Sequence, residues 1–280
     1  MSVTFACIAG EEVHRQWEAG RLSGRELGPR KTPFGLSGQI FEINGGPAGF
    51  YLLSRHAPGL AKAAPHRVNY RANMYALKDL DVQAVLGWGS GGAITHNIAI
   101  GDLVVLDDVI DQTHMRPKTF FQDSPLGYLR QFPVFCPALR RVCSEALHGM
   151  KLVYHGAGTA AVREGPRLET PAEVRMLTAI GAEMVTHAFA PEVFLAKELQ
   201  LCYAAVCYAI DYAETGSRHR PFRPGGLFGE MGEKTDSERV AGAVGAMGQI
   251  VSAVASAVQS SQRLCECPNT MAAHIRDYGL

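Results

Sequence analysis

Cys265 and Cys267 form a C-x-C pair near the end of the chain, and their types and spacing point to thiol or metal chemistry. Two thiols at this spacing could form a vicinal disulfide or supply half of a metal site. The surrounding sequence offers no second cysteine or histidine pair with metal-ligand spacing. Neither H-x-x-x-H nor H-E-x-x-H occurs among the ten histidines. We therefore interpret the pair as two ordinary thiols and predict no metal site.

Further candidates stand at the ends of elements and in one loop. Glu169 precedes a helix start and could simply stabilise its N-terminus. Asp211 follows an apolar stretch and could cap a loop, and His187 reads on its own as a core histidine. The run RHR at 218–220 could close over an anionic ligand, but such a run is more typical of a solvated loop.

Apolar stretches bounded by polar loops must position these candidates. Their composition predicts buried strands at 4–9, Phe50–Ser54, 84–88, 103–110 and 203–210. The strand at 84–88 runs directly into GSGG at 89–92, which we interpret as a glycine-rich turn. A helix is predicted at 69–80, with Tyr70, Met74 and Leu77 on one face.

Two more helices have clear signals. Thr170, Pro171 and Glu173 form a capping-box start. A long helix at 236–260 has a one-sided stripe that predicts packing on a sheet rather than a membrane span: Val240, Val244, Met247, Val251, Val254 and Val258. The stretch at 213–234 is rich in glycine, proline and arginine and predicts a mobile loop. Alternating strands and helices predict a single α/β domain over 1–280, a three-layer α/β/α sandwich around a mixed central sheet.

The bulk composition narrows the partners. Lys plus Arg and Asp plus Glu number 27 each, and this balance argues against a general nucleic-acid binder. The N-terminal residues lack a basic region followed by an apolar core, so we expect no secretory signal. Seven cysteines, mostly in apolar surroundings, fit buried thiols in a reducing compartment. These features predict a cytoplasmic protein with no membrane partner.

An ordered set of motifs resembles the methylthioadenosine and purine nucleoside phosphorylase family. The motifs occur in family order over about the first three quarters of the chain: RH at 55–56, VNYRAN at 68–73, GSGG at 89–92, MRP at 115–117, EGPRLETPAE at 164–173 and PEVFLAKE at 191–198. The resemblance implies a nucleoside phosphorylase-like fold, a homotrimer, a purine nucleoside substrate and phosphate as co-substrate, with no other cofactor and no metal. It also implies a role in purine salvage.

The resemblance assigns the base and sugar side of a site. Asp211 would be the catalytic carboxyl opposite N7 and the 6-substituent of the purine, where adenine-type enzymes have Asp and 6-oxopurine enzymes have Asn. Glu169, next to Leu168, matches the acid that accepts from N1–H in 6-oxopurine enzymes, so the preferred base stays open. His187 occupies the place of a methionine beside the ribose. A neighbouring subunit would close the 5′ side, and we expect 128–132 to do so.

The phosphate side departs from the family. Arg55, His56, Gly89 and Ser90 match the residues that bind phosphate, but Glu11 and Ala188 replace two family hydroxyls. An acid about 4 Å from an anion repels it by ~4 kcal/mol at an effective dielectric of ~20. Arg55 could also pair with Glu11 and fill the phosphate site internally.

Three functions follow from this mixture. The first is phosphorolysis of methylthioadenosine or a related purine nucleoside. The second is a phosphate-independent hydrolase in which Glu11 acts as general base for water. The third is a non-catalytic protein adapted to bind another ligand.

Overall fold

The computed structural model describes residues 3–44, 46, 48–56, 63–214 and 234–278. Most of the predicted mobile loop at 213–234 lies outside these residues, as do the basic run at 218–220 and its neighbours. Only Ala213, Glu214 and Lys234 of that stretch are described.

Eleven strands of the described residues form one sheet. Their order is β2-β3-β4-β1-β5-β10-β9-β7, while β11 pairs with β5 and β6, and β8 pairs with β6. The bounds are β1 (Phe5–Ala9), β2 (Gly24–Thr32), β3 (Gly35–Ile43), β4 (Phe50–Ser54), β5 (Ala84–Ala93), β6 (Leu103–Val105), β7 (Asp108–Gln112), β8 (Tyr154–His155), β9 (Thr159–Arg163), β10 (Met184–Thr186) and β11 (Cys202–Tyr212).

Helices cover both faces of this sheet. They are α1 (Glu12–Glu18), α2 (Tyr70–Asp79), α3 (Pro137–Gly149), α4 (Pro171–Ala179), α5 (Glu192–Glu198), α6 (Lys234–Ser260) and α7 (Ala272–Tyr278). Alternate residues along the central strands point to opposite faces. Phe5 and Cys7 of β1 lie in a core with α3 and α6, whereas Ala6 and Ile8 lie in a core with α2 and α5. The predicted three-layer sandwich is confirmed.

The sheet is mixed, as predicted. β1 is parallel to β4 and β5, and β5 is parallel to β11. β10 runs antiparallel to β5, and β6 runs antiparallel to β11.

Two strand predictions need correction. The strand predicted at 103–110 is two strands, β6 and β7, because β6 pairs with β8 and β11 whereas β7 pairs with β9. Asp107 lies at the break, where its carboxylate accepts from the Gly158 N–H at 3.0 Å. The strand predicted at 203–210 continues to Tyr212, so Asp211 is a strand residue and not a loop cap.

The helix ends follow the sequence signals. Asn69 caps α2 by accepting from the Ala72 N–H, and Thr170 and Glu173 form the predicted capping box at α4. This box fixes the direction of the chain directly after Glu169. The N-cap residue Thr170 has an extended backbone, and its side chain is hydrogen-bonded to the first turn of α4.

α6 is, within the described residues, the one helix long and apolar enough to cross a membrane by length and composition. Its predicted stripe nevertheless faces the sheet. Met247, Val251 and Val254 are buried in the core shared with β1, β5 and α3, and Val240, Val244 and Val258 pack against it. The helix therefore holds its apolar side against protein.

Candidate active site

A cavity of about 760 Å³ opens at the carboxyl ends of β1, β4, β5 and β11. All ten residues to which the sequence analysis assigned a site role line it: Glu11, Arg55, His56, Gly89, Ser90, Leu168, Glu169, His187, Ala188 and Asp211. Ligands of open α/β sheets bind in such crevices, outside the carboxyl ends of the strands. The structure thus brings together groups that are far apart in the sequence.

The glycine run at 89–92 is part of β5 and not the predicted turn. A Cβ on Gly89 would lie 3.1 Å from the Ala188 Cβ, and one on Gly91 would lie 2.8 Å from the Val185 carbonyl oxygen. The glycines are therefore explained by close packing against the chain around β10, which a Cβ would prevent.

β5 changes partners at this point. β11 pairs along one edge of β5, whereas β1 pairs with the other edge only as far as Gly87 and β10 begins at Gly92. Between them, the Ser90 carbonyl accepts from the Thr186 hydroxyl at 2.7 Å. Since the N–H and C=O of a strand residue point to the same edge, the Ser90 amide also faces this interval. Backbone N–H groups in this interval, between Gly87 and Gly92, are available to bind an anion.

Arg55 is held in a buried network. Its Nε and Nη2 donate to the two carboxylate oxygens of Glu192 at 2.5 and 3.1 Å. Nη1 donates to the Trp88 carbonyl, and Nη2 also donates to the Ile8 carbonyl. These contacts use four of the five guanidinium N–H groups. The suggested Arg55–Glu11 ion pair is wrong, because Glu192 reaches Arg55 from the first turn of α5 and neutralises it.

His56 follows Arg55 at the cavity wall. Its Nδ1 lies 2.8 Å from the Ala63 carbonyl oxygen, which can only accept, so Nδ1 carries a proton. Burial and then the neighbouring Arg55 lower the pKa of His56. In the neutral ring Nε2 is consequently an acceptor, and it can bind a protonated oxygen of an anion.

Two consecutive acids begin α1 and behave differently. Glu11 is half-exposed and accepts from Arg15 Nη2 at 3.3 Å, one helical turn away. Glu12 accepts a short hydrogen bond from the Tyr208 hydroxyl, while its second oxygen, Oε2, is buried without a hydrogen-bond partner among the described residues. This oxygen would lie 2.8 Å from a Cβ on Gly10. Of the two acids, Glu12 is therefore the one whose charge most opposes the binding of an anion in this part of the cavity.

Asp211 lies on β11 beside a bulge that follows Ala209. Its carboxyl is buried and its Oδ1 lies 3.1 Å from the position of a Cβ on Gly92. Burial, reinforced by the negative charges of Glu169 and Glu214, raises the pKa of Asp211 to about 7. Near neutral pH this carboxyl can both donate and accept a proton, which is the property required of a general acid.

Glu169 and His187 face each other across the cavity wall. Glu169 Oε1 lies 3.5 Å from His187 Nε2 and 3.7 Å from Arg163 Nε. Arg116 fixes the backbone here, since its Nη1 and Nη2 donate to the carbonyls of His187, Ala190, Arg163 and Glu164. The MRP motif thus supports the site from behind rather than contacting the cavity.

Thr186 supplies a hydroxyl two residues before Ala188. It donates to the Ser90 carbonyl and accepts from the Ala188 N–H at 3.2 Å. Both partners are backbone groups of the protein, so this hydroxyl holds the chain after β10 against β5.

Comparisons with known proteins agree with this geometry. The family model described as the phosphorylase superfamily matches residues 40–255. A probable S-methyl-5′-thioinosine phosphorylase from Methanothermobacter thermautotrophicus is 38% identical over 208 residues, which are 74% of this chain and 70% of that protein. A 6-oxopurine nucleoside phosphorylase from Pyrococcus furiosus is 36% identical over 193 residues, covering 65% of this chain and 71% of that protein. The chain belongs to the phosphorylase superfamily.

The fold of a solved superfamily member is closely similar. A methylthioadenosine phosphorylase from Schistosoma mansoni, in complex with tubercidin, superposes with a TM-score of 0.83 and 23% identity, covering 98% of both chains. At this identity the likeness shows a shared fold. The family and fold predicted from the ordered motifs are confirmed.

Three residues of the site in this superfamily member were not predicted from its sequence: Glu12, Tyr208 and Glu192. Glu192 stood in a recognised motif, PEVFLAKE, without a role. Glu12 was passed over because Glu11 occupies the position of the family hydroxyl. No regular pattern indicated Tyr208, because residues three apart on a strand point to opposite faces. Tyr208 and Asp211 nevertheless both line the cavity, and the bulge after Ala209 interrupts the alternation between them.

Proposed function

We propose that this chain cleaves the N-glycosidic bond of a purine nucleoside by phosphorolysis, releasing the free base and a 1-phosphorylated sugar. The observation that carries the proposal is the buried Asp211 carboxyl, whose pKa of about 7 matches the task of protonating a purine. It lies in the same cavity as Arg55, His56 and Ser90. The names of the similar proteins, all nucleoside phosphorylases, support the same reaction class.

On the base side, Asp211 donates its proton to N7 as the bond between C1′ and N9 breaks. The bonding electrons move onto the purine, and the sugar develops oxocarbenium character. Positioning the donor in advance lowers the barrier because no solvent must reorganise at the moment of reaction. Glu169, held beside His187, accepts from N1–H of a 6-oxopurine, whereas ionised Asp211 accepts from a 6-amino group.

On the anion side, an oxygen of phosphate attacks C1′ from the opposite face. The Ser90 amide and the remaining Arg55 N–H donate to phosphate, and His56 Nε2 accepts from a protonated phosphate oxygen. Glu12 opposes this binding through its charge. Phosphate is therefore expected to bind weakly and preferentially in its more protonated form.

We propose a homotrimer in which 128–132 of one subunit closes the 5′ side of a neighbour's cavity. Tyr128 and Phe132 support this proposal because their side chains are 84% and 94% exposed. Exposed aromatic side chains are enriched at protein interfaces. Seven free cysteines support a cytoplasmic location. Release of a free purine base in the proposed reaction supports a role in purine salvage.

The test is release of base from methylthioadenosine, adenosine and inosine, each with and without millimolar phosphate. Turnover that requires phosphate and yields sugar 1-phosphate is expected. Equal rates without phosphate would replace phosphorolysis by hydrolysis, and no turnover of any nucleoside would refute the proposal. The preferred base decides whether Asp211 or Glu169 selects the 6-substituent.

A further inference from the structure

Four cysteines from three distant parts of the chain meet at the end of the sheet opposite the cavity. Cys136 is the N-cap of α3, Cys202 is the first residue of β11, and Cys265 and Cys267 lie in the tail between α6 and α7. Their Sγ atoms all lie within 4.8 Å of one another. The C-x-C pair was interpreted as two ordinary thiols because Cys136 and Cys202 are distant from it in the sequence.

The dimensions of the cluster fit one tetrahedral metal ion. Zinc binds thiolate sulfur at about 2.3 Å, so four sulfurs around it are separated from each other by about 3.8 Å. The Sγ atoms of Cys202 and Cys265 are 3.3 Å apart, well beyond the ~2.05 Å of a disulfide bond. Small shifts, which widen the Cys202–Cys265 separation and shorten the longer ones, would place all four sulfurs at bonding distance from a common centre.

Hydrogen-bond donors surround the sulfurs. The Leu139 N–H, in the first turn of α3, donates to Cys136 Sγ at 3.5 Å. Arg263 Nε donates to Cys202 Sγ at 3.1 Å, while its Nη2 donates to the Gln200 carbonyl at 2.6 Å. Zinc with four thiolates carries a net charge of −2, and such donors and a guanidinium offset that charge.

Other bonds hold the tail in place. The Thr270 hydroxyl donates to the Lys197 carbonyl at 2.7 Å, and the Gln200 amide donates to the Pro268 carbonyl. Cys265 and Cys267 are half-buried, whereas Cys136 and Cys202 are buried. The ligands are thus brought together before binding, and a metal ion can reach them from the exposed side.

We propose that Cys136, Cys202, Cys265 and Cys267 bind one Zn²⁺ as a structural tetrathiolate site. Four thiolates select zinc among the common divalent ions and leave no open coordination position for chemistry. Cys202 and Asp211 stand at opposite ends of β11, roughly 30 Å apart at ~3.3 Å per residue. The ion fastens the tail beyond α6 to the sheet, independently of the proposed nucleoside cleavage.

The primary measurement is metal content by plasma mass spectrometry of the full chain. The chain is purified under reducing conditions without added metal, and any metal-binding tag is removed. About one zinc per chain is expected, together with at least a tenfold loss in Cys267→Ser. The matched control is Cys143→Ala, which changes a buried thiol of α3 outside the cluster and should keep its zinc. Less than a tenth of a zinc per chain, bound iron in its place, or equal zinc in both variants overturns the proposal.

A second measurement uses the unmodified chain, so that misfolding of a variant cannot obscure the result. Exchange into Co²⁺ should give the intense visible absorption of a tetrahedral cobalt thiolate, and zinc should reverse it. Thiol counting after denaturation in chelator should find seven thiols. Three thiols without zinc would mean that the cluster forms two disulfides, and the zinc site would then be rejected.

Discussion

Glu11 and Glu12 are adjacent in sequence, but their carboxylates differ in burial and in hydrogen-bond partners. Glu11 is paired with Arg15 in a half-exposed position, while Glu12 has a buried oxygen without a partner among the described residues. A buried charge is screened far less than an exposed one. The cost of placing phosphate near this helix should therefore come mainly from Glu12.

We expect Glu12→Gln to lower the KM for phosphate about tenfold, since removal of ~1.4 kcal/mol of repulsion changes an equilibrium by that factor. The Gln side-chain oxygen can still accept from the Tyr208 hydroxyl, so the local structure should persist. Phosphate saturation curves at a fixed nucleoside concentration measure the effect. Glu11→Gln is the matched control and should change KM less than twofold. An equal decrease in both variants would contradict the assignment.

Asp211 should make both activity and stability depend on pH near neutrality. Its pKa is raised to about 7, so it is protonated and able to donate to N7 only below that pH. For an acid donor, kcat/KM for a 6-oxopurine nucleoside should fall by about tenfold per pH unit above 7. Asp211→Asn, which cannot lose a proton, should remove this alkaline limb. A limb of the same position and slope in the variant would rule out Asp211 as the group that titrates.

The same shift fixes the sign of a stability effect. The folded state binds the Asp211 proton more tightly than the unfolded chain, so the free energy of unfolding falls as pH rises from about 4 to about 7. The stability of Asp211→Asn relative to the natural chain should increase over that window. The difference should reach a few kcal/mol at pH 8. Urea titrations at pH 5 and pH 8 measure this gain. An equal difference at both values would show that the carboxyl does not titrate in this range.

At the scale of elements, the Arg55–Glu192 ion pair connects β4 to α5, and the Tyr203 hydroxyl adds β11 by donating to Glu192 at 2.6 Å. Both charged side chains are almost fully buried. Breaking such a pair leaves an uncompensated charge in a medium of low dielectric. The contact between the end of β4, α5 and β11 therefore depends on one carboxylate.

Glu192→Gln should lower the free energy of unfolding by about 3–5 kcal/mol, because buried Arg55 keeps its charge. Chemical denaturation with an unchanged m-value measures the loss. Glu42→Gln removes the partner of Arg25, at 2.7 Å, and should cost less than about 1 kcal/mol, because the Arg25 side chain is 72% exposed. Similar losses in the two variants would mean that burial does not set the strength of the inner pair.

Features encoded within a few residues were predictable at this scale. The capping box of Thr170 and Glu173 and the strand Phe50–Ser54 are examples. The glycine run at 89–92 was misassigned because glycine suits both a turn and a strand under close packing. Only the tertiary neighbours Ala188 and Phe189 distinguish the two.

At the scale of the whole molecule, the partners that decide chemistry lie far apart in sequence. Arg55 and Glu192 are separated by 137 residues, and Cys202 and Cys265 by 63. No local pattern links such residues. The family resemblance located ten cavity residues because it implied the fold that brings them together. It did not reveal Glu12, Tyr208 or the cysteine cluster, which are not part of the motifs.

The exposed loop at 128–132 is the feature through which subunits are expected to meet. Burial of a side chain such as Phe132 contributes roughly 1.5–3 kcal/mol per interface. Light scattering should give three times the chain mass of 30.2 kDa. Phe132→Ser should shift this mass toward the single chain at micromolar concentration and raise the KM for nucleoside, because each cavity would lose the loop that closes its 5′ side.

Leu36→Ser is the control for that experiment, since Leu36 is also a large exposed apolar residue, at 60%. It lies on β3, near the edge of the sheet, and its replacement should leave both mass and KM unchanged. Dissociation without a change in KM would mean that the cavity does not depend on assembly. The 5′ side would then be closed by residues of the same chain. A single-chain mass for the unmodified protein would remove the trimer altogether. The cavity would then have to exclude water through residues of its own chain.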